Sequence, residues 1–238
     1  MRQFYQVAWV QLFFYSSPET SLARINSVNG GFEMATVSEW IVREYFEILG
    51  YMVSQPCKYH VTGRRKRIEE EIDLVIVNPL VAEQRIPDSI LWTTDDLSGI
   101  ARGIISVYGW HTERFYPAML EHIPEILRFI SKDSIRLAVR RMGAHDTAKI
   151  ICLPQLPASK KLREEILANL KQKGVDGVLL FRTMLLELMN RVEPKKNYDR
   201  SDLLQIIRIL KIYDLLKDRQ MNLFPIKRKS RKKKQPAK

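Results

Sequence analysis

The chain has 238 residues, with 39 Lys and Arg against 27 Asp and Glu, a formal net charge of +12, and 45% hydrophobic and 28% charged residues. That balance excludes an intrinsically disordered chain, and 10 Gly with 11 Pro exclude a collagen-like or low-complexity one. Two cysteines, Cys57 and Cys152, are too few for a disulfide scaffold or a Cys-rich zinc module and point to a reducing, cytoplasmic compartment.

Phe4 to Tyr15 is apolar and aromatic, but Gln6 and Gln11 interrupt it and Ser16-Ser17-Pro18-Glu19 offers no small-x-small cleavage site. It is also too short to span a bilayer as a helix, so no membrane association is expected. Residues 1–33 are expected to be an appendage, disordered or not translated, with folding beginning near Met34 after the breaker Asn29-Gly30-Gly31. Thr36-Val37-Ser38-Glu39 then has the form of a capping box. Val37, Trp40, Ile41, Tyr45, Ile48 and Leu49 recur at helical spacing as far as Gly50, a C-cap residue.

Tyr51 to Ser54 reads as a short strand, followed by a basic connection with Lys58-Tyr59-His60 and Arg64-Arg65-Lys66-Arg67 around Gly63. Ile72 to Val77 is a nearly continuous apolar strand with one carboxylate, Asp73, inside it. Residues 80–99 form an irregular connection to a strand at Ile104–Tyr108, which leaves through Gly109-Trp110-His111-Thr112-Glu113-Arg114-Phe115. A helix is predicted from Pro117 to Ile130, a strand at Lys149–Leu153, a helix at Ser159–Lys173 and a strand at Val178–Phe181. Strand, helix and strand of these lengths imply a parallel crossover, and hence an α/β sheet. Two more helices follow, Thr183–Arg191 and Ser201–Leu216. In the second, capped by Ser201, Leu203, Ile206, Ile207, Leu210 and Leu215 form an apolar stripe expected to pack on the sheet, with a homodimer contact through these C-terminal helices as the alternative.

From Lys227 to Lys238 the chain carries eight basic residues and no acid. Removing them leaves 31 basic against 27 acidic residues, so most of the excess charge belongs to a tail. Residues 219–238 are expected to be disordered and to attract any polyanion without reading sequence.

Asp73 is the most informative residue. A carboxylate within an apolar strand is costly unless it is paired, hydrogen-bonded or metal-bound. Two readings stand: a strand-end Asp bonded to neighbouring backbone or an Arg, or a ligand for a divalent cation. Glu39 likewise reads as a capping residue or a helical ligand, and Glu44, on the apolar face with Trp40, Ile41 and Ile48, rivals it. Arg64, Arg65, Lys66 and Arg67 are candidate phosphate contacts or a solvated turn balanced by Glu69, Glu70 and Glu71. The sequence holds no Walker loop, G-x-G-x-x-G, G-x-S-x-G or H-E-x-x-H motif.

The order of helical Glu39, the Gly50-Tyr51 pair, a strand, a basic hairpin and Glu71-Ile72-Asp73-Leu74 resembles the PD-(D/E)xK nuclease superfamily, with its restriction-endonuclease-like fold, and within it the Holliday-junction-resolvase-like branch. The resemblance covers separate patches between Thr36 and Leu216 and implies a central mixed sheet flanked by helices over 34–218, with extra C-terminal helices. It further implies that Glu39 and Asp73 hold Mg²⁺. The third motif should then lie over Ile105-Ser106-Val107-Tyr108, where Ser106 stands for the second acid and Tyr108 for the lysine. Ser106 and Tyr108 share a strand face, but serine is a weak ligand and neutral tyrosine supplies no cation. His111 and Glu113 are candidates for the missing roles, and Arg114 for a phosphate contact. Trp110 and Phe115 read as core residues or as a lid. The resemblance therefore implies a nucleic-acid partner, DNA favoured, and two functions: metal-dependent phosphodiester hydrolysis at a rearranged site, or a catalytically inactive module for nucleic-acid binding or assembly.

Overall fold

The computed structural model describes residues 37–56, 71–109, 111, 114–143 and 146–216. The expectations for residues 1–33, for Thr36, for the basic connection with Arg64, Arg65, Lys66 and Arg67, for Trp110 and Glu113, and for the tail at 219–238 lie outside the described residues.

The first helix, α1 (Val37–Ile48), ends where Gly50 takes φ +91°, with the Gly50 N–H on the Glu47 carbonyl and the Tyr51 N–H on the Phe46 carbonyl, both at 3.0 Å. That pair of bonds is a Schellman ending, and it turns the chain into β1 (Met52–Ser54). After β2 (Leu74–Val77), a 3₁₀ turn at Asp95–Gly99 leads into β3 (Arg102–Val107). The helix predicted over Pro117–Ile130 is instead two pieces, α2 (Pro117–His122) and a 3₁₀ segment, Pro124–Ile130. Pro124 accounts for the break, since its ring collides with the carbonyl four residues back and pushes Ile123 out of helical geometry.

A helix that the sequence reading did not place follows: α3 (Lys132–Met142). Ser131 caps it by accepting the Ser134 N–H at 3.2 Å, and Gly143 at φ +68° ends it. Its inner face buries Ser134, Leu137 and Ala138, with Ile135 and Met142 packed against the same layer, and Ile135, Ala138, Val139 and Met142 recur at helical spacing. Next come β4 (Ala148–Leu153), α4 (Lys160–Gln172), β5 (Gly177–Leu180), α5 (Phe181–Arg191) and α6 (Asp202–Ile212).

The five strands form one mixed sheet in the order β1-β2-β3-β4-β5, antiparallel from β1 to β3 and parallel from β3 to β5. This is an α/β architecture with helices on both faces. Alternate residues along the strands feed two core layers. Leu74, Ile76, Ile105, Ile150 and Cys152 pack with Tyr45 and Phe46 of α1 and with Leu188 of α5. Val75, Ile104, Ile151 and Val178 pack on the other face with Phe129, Leu137 of α3 and Ile166 of α4.

The connection over 80–99 covers the β5 edge. Leu91 bridges Val178, the Val178 N–H donates to Ile90 at 2.7 Å, and the Trp92 N–H donates to Val178 at 2.9 Å. Trp92 is buried, its indole N–H on the Ser89 carbonyl at 2.8 Å. An exposed strand edge is thereby closed by the chain's own loop. In α6 Ser201 does cap, accepting the Leu204 N–H at 3.3 Å. The stripe is displaced from the expected one: Leu204 and Ile207 are buried, whereas Ile206 and Leu215 are 52% and 68% exposed. No helix among the described residues is long and apolar enough to cross a membrane.

Candidate functional site

The strand registers place one end of the sheet at the centre of interest. Ser54 pairs with Val75 and Leu74 with Ile105, so the end of β1, the start of β2 and the end of β3 lie together. The N-terminal end of α1 is held over the same place by two side-chain bonds. Gln55 donates its amide to Glu39 Oε2 at 2.8 Å, and Ser38 Oγ lies 3.1 Å from His111 Nε2.

Asp73 sits one residue before β2, not inside it, because the ladder there is completed by its side chain. Its own N–H donates to the Ile105 carbonyl at 3.1 Å, while its Oδ2 accepts the Val107 N–H at 2.6 Å and the Ser106 hydroxyl at 3.3 Å. A carboxylate so engaged takes the place that a strand carbonyl would hold, and a charge-assisted bond of this length is a strong one. Of the two readings of Asp73, the bond to neighbouring backbone is present, and it is made by Oδ2.

Ser106 is buried and, by strand alternation, turns to the second core layer, as Tyr108 does. Tyr108 donates its hydroxyl to the Ile126 carbonyl at 3.0 Å. Burial pushes its pKa well above the ordinary tyrosine value; the Ser106 hydroxyl opposes that shift and the Asp73 carboxylate adds to it. Tyr108 is thus held neutral. The Cys152 thiol is pushed up in the same way, by burial first and by Asp73 second.

The sheet separates the two halves of the expected site. Ser106 and Tyr108 point into the layer of Ile126 and Phe129, whereas α1, which carries Glu39, packs on the opposite layer. Glu44 lies more than a turn further along α1, buried, with the Trp40 indole N–H on its Oε1 at 3.3 Å. Phe115 is buried in the second layer and its N–H donates to the Gln155 carbonyl at 2.8 Å, as a core residue does. Arg114 is exposed.

His111 is exposed, yet its ring meets the edge of Phe181 with centroids 4.6 Å apart and planes at 88°. Gly109 makes that arrangement possible, since a Cβ there would fall on the Ser38 hydroxyl and 2.7 Å from its Cβ. The Ser38–His111 pair was missed from sequence, where Ser38 reads only as an interior position of a capping box. Its partner is 73 residues away, and no local pattern signals it.

Mg²⁺ asks for near-octahedral oxygen ligation and uses one or two carboxylates. Here Asp73 Oδ2 and Glu39 Oε2 accept protein N–H groups, and the third position offers a hydroxyl that already donates to Asp73. Among the described residues no cluster of three or more His, Cys, Asp or Glu side chains is arranged to hold a metal ion. Comparison with protein-family models, with curated proteins and with solved structures found no match for this chain.

Proposed function

We propose that the chain is a nucleic-acid-associated module on a nuclease-like α/β scaffold, in which the residues at the hydrolytic position serve the sheet instead of the reaction. The observation that carries this reading is the 2.6 Å bond from the Val107 N–H to Asp73 Oδ2. It explains the retention of an acid before β2 without a cation, because removing it would strand a backbone donor. The element order supports the scaffold: a helix, a short strand, a strand preceded by Glu-Ile-Asp, and a third strand paired to it. Nucleic acid as the partner rests on the net charge of +12 and its concentration after Lys227.

Metal-dependent phosphodiester hydrolysis at a rearranged site is the second reading. One observation favours it: Glu39, Asp73, Ser106 and His111 all fall at one end of the sheet. Incubation of DNA and RNA with Mg²⁺ or Mn²⁺, comparing wild type, Asp73→Ala and an EDTA control, separates the two. The module reading expects salt-sensitive binding with no cutting. Cutting that needs metal and disappears in a folded Asp73→Ala protein would establish the hydrolytic reading instead.

A further inference from the structure

The α3 helix has the sequence Lys-Asp-Ser-Ile-Arg-Leu-Ala-Val-Arg-Arg-Met and a net charge of +3, from Lys132, Arg136, Arg140 and Arg141 against Asp133. For contrast, α1 carries Arg43 against Glu39, Glu44 and Glu47. The orientation of α3 is fixed by its buried residues, Ser134, Leu137 and Ala138, which leave Lys132, Arg136 and Arg140 exposed. These three are spaced by four residues, so they form one row with successive members about 6 Å apart along the axis. Asp133 meets Arg136 at 3.3 Å, but both side chains are well exposed, and a pair of that kind offsets little of the row's charge. Arg141, beside the row, is engaged within the fold, where its guanidinium donates to the Pro56 carbonyl at 3.1 Å and ties α3 to the chain leaving β1.

A regular row of cations on a helix anchored at both ends presents charge in a fixed geometry. We propose that the outer face of α3 contacts the phosphate backbone of nucleic acid through Lys132, Arg136 and Arg140. The inference rests on the nucleic-acid reading above and adds to it the surface that is used. The row offers point charges and guanidinium forks to phosphate oxygens, so it contributes affinity and not sequence choice.

The test uses the full chain and a fluorescent DNA duplex titrated over a salt series. In the triple variant Lys132→Gln/Arg136→Gln/Arg140→Gln the slope of log affinity against log salt should fall by about 2–3, and affinity at low salt by roughly tenfold or more. A control with the same change of charge on and beside α4, Lys160→Gln/Lys161→Gln/Lys173→Gln, should move both far less. The single variant Arg140→Gln, which should lower the slope by about 1, covers the case in which the triple variant is poorly folded by circular dichroism. Equal losses in the two triple variants, or none in the α3 variant, overturn the α3 surface while the nucleic-acid reading stands. Failure of the wild type to bind DNA or RNA overturns both. Loss of binding to phosphatidylserine vesicles with DNA binding intact overturns the proposal in favour of a membrane surface.

Discussion

A carboxylate at the point where two strands part leaves different mutational signatures according to whether it serves the backbone or a cation. If Asp73 serves β3, as its bonds to Val107 and Ser106 indicate, Asp73→Ala leaves a partly buried amide without its acceptor. We expect a loss of about 1–3 kcal/mol in urea unfolding without any metal present. Asp73→Asn keeps an acceptor oxygen and should lose less. A wild-type stability indifferent to metal-free buffer, with Asp73→Ala clearly weaker in it, is the pattern expected; an unchanged unfolding midpoint for Asp73→Ala would show that the bond contributes nothing. The alkaline side is governed by other groups. Tyr45, Tyr51 and Tyr108 all have pKa values raised in the folded state, in each case chiefly by burial. Above pH 10 the unfolded chain loses those protons while the folded one keeps them, so the native state binds more protons and stability falls as pH rises. The contribution is fully present below pH 10 and fades as pH climbs toward the folded values. Tyr108→Phe should flatten that decline by one tyrosine's share, read as a shallower dependence of the urea midpoint between pH 9 and 11. An unaltered slope would mean that Tyr108 is not shielded from solvent.

At the scale of single elements, the edge of β5 shows how a loop takes over the work of a strand. Gly177 lies so close under Trp92 that any Cβ would enter the indole ring. Gly177→Ala therefore has to displace either the ring or the bridge between Leu91 and Val178, and we expect about 1–3 kcal/mol of lost stability, measured by urea unfolding. Neutral behaviour would show that the covering segment yields without cost. In α6, Ile207→Ala should cost about 2–4 kcal/mol, whereas the same substitution at exposed Ile206 should change stability by no more than about 0.5 kcal/mol. The sequence assigned both to one buried stripe. Their adjacency explains the error, because two neighbouring apolar residues lie about 100° apart on a helix and the pattern does not say which faces the core. Elements with strong punctuation were legible: the Gly50 ending, the Ser201 cap and the strand–helix–strand of β4, α4 and β5. The split at Pro124 was written in the sequence as a helix breaker and was passed over. The α3 helix was legible too, with Ile135, Ala138, Val139 and Met142 at helical spacing between Ser131 and Gly143, although the reading did not place it.

Across the whole molecule, the parallel half of the sheet was readable from local order and its mixed character was implied by the resemblance, while the relation of its two faces was not readable. Glu39 and Tyr108 belong to different layers because α1 and the Pro124–Ile130 segment lie on opposite sides of the sheet. Nothing in either residue's neighbourhood encodes that. Charge, by contrast, is a property of the entire chain that sequence alone reports, and it is divided between a packed domain and the stretch after Ile226. Truncation after Ile226 removes eight basic residues and takes the formal charge from +12 to +4. The packed positions described end at Leu216, and an unchanged thermal midpoint is the control that the truncated chain keeps its fold. Binding to mixed-sequence DNA should weaken, and the slope against log salt should drop by as much as about 7 if every tail cation meets a phosphate. The residual slope is the informative quantity. A value near 3 that vanishes when Lys132, Arg136 and Arg140 are also neutralised would assign the remaining ion release to α3. A residual near zero would place all of the affinity in the tail and leave the folded domain without a nucleic-acid role.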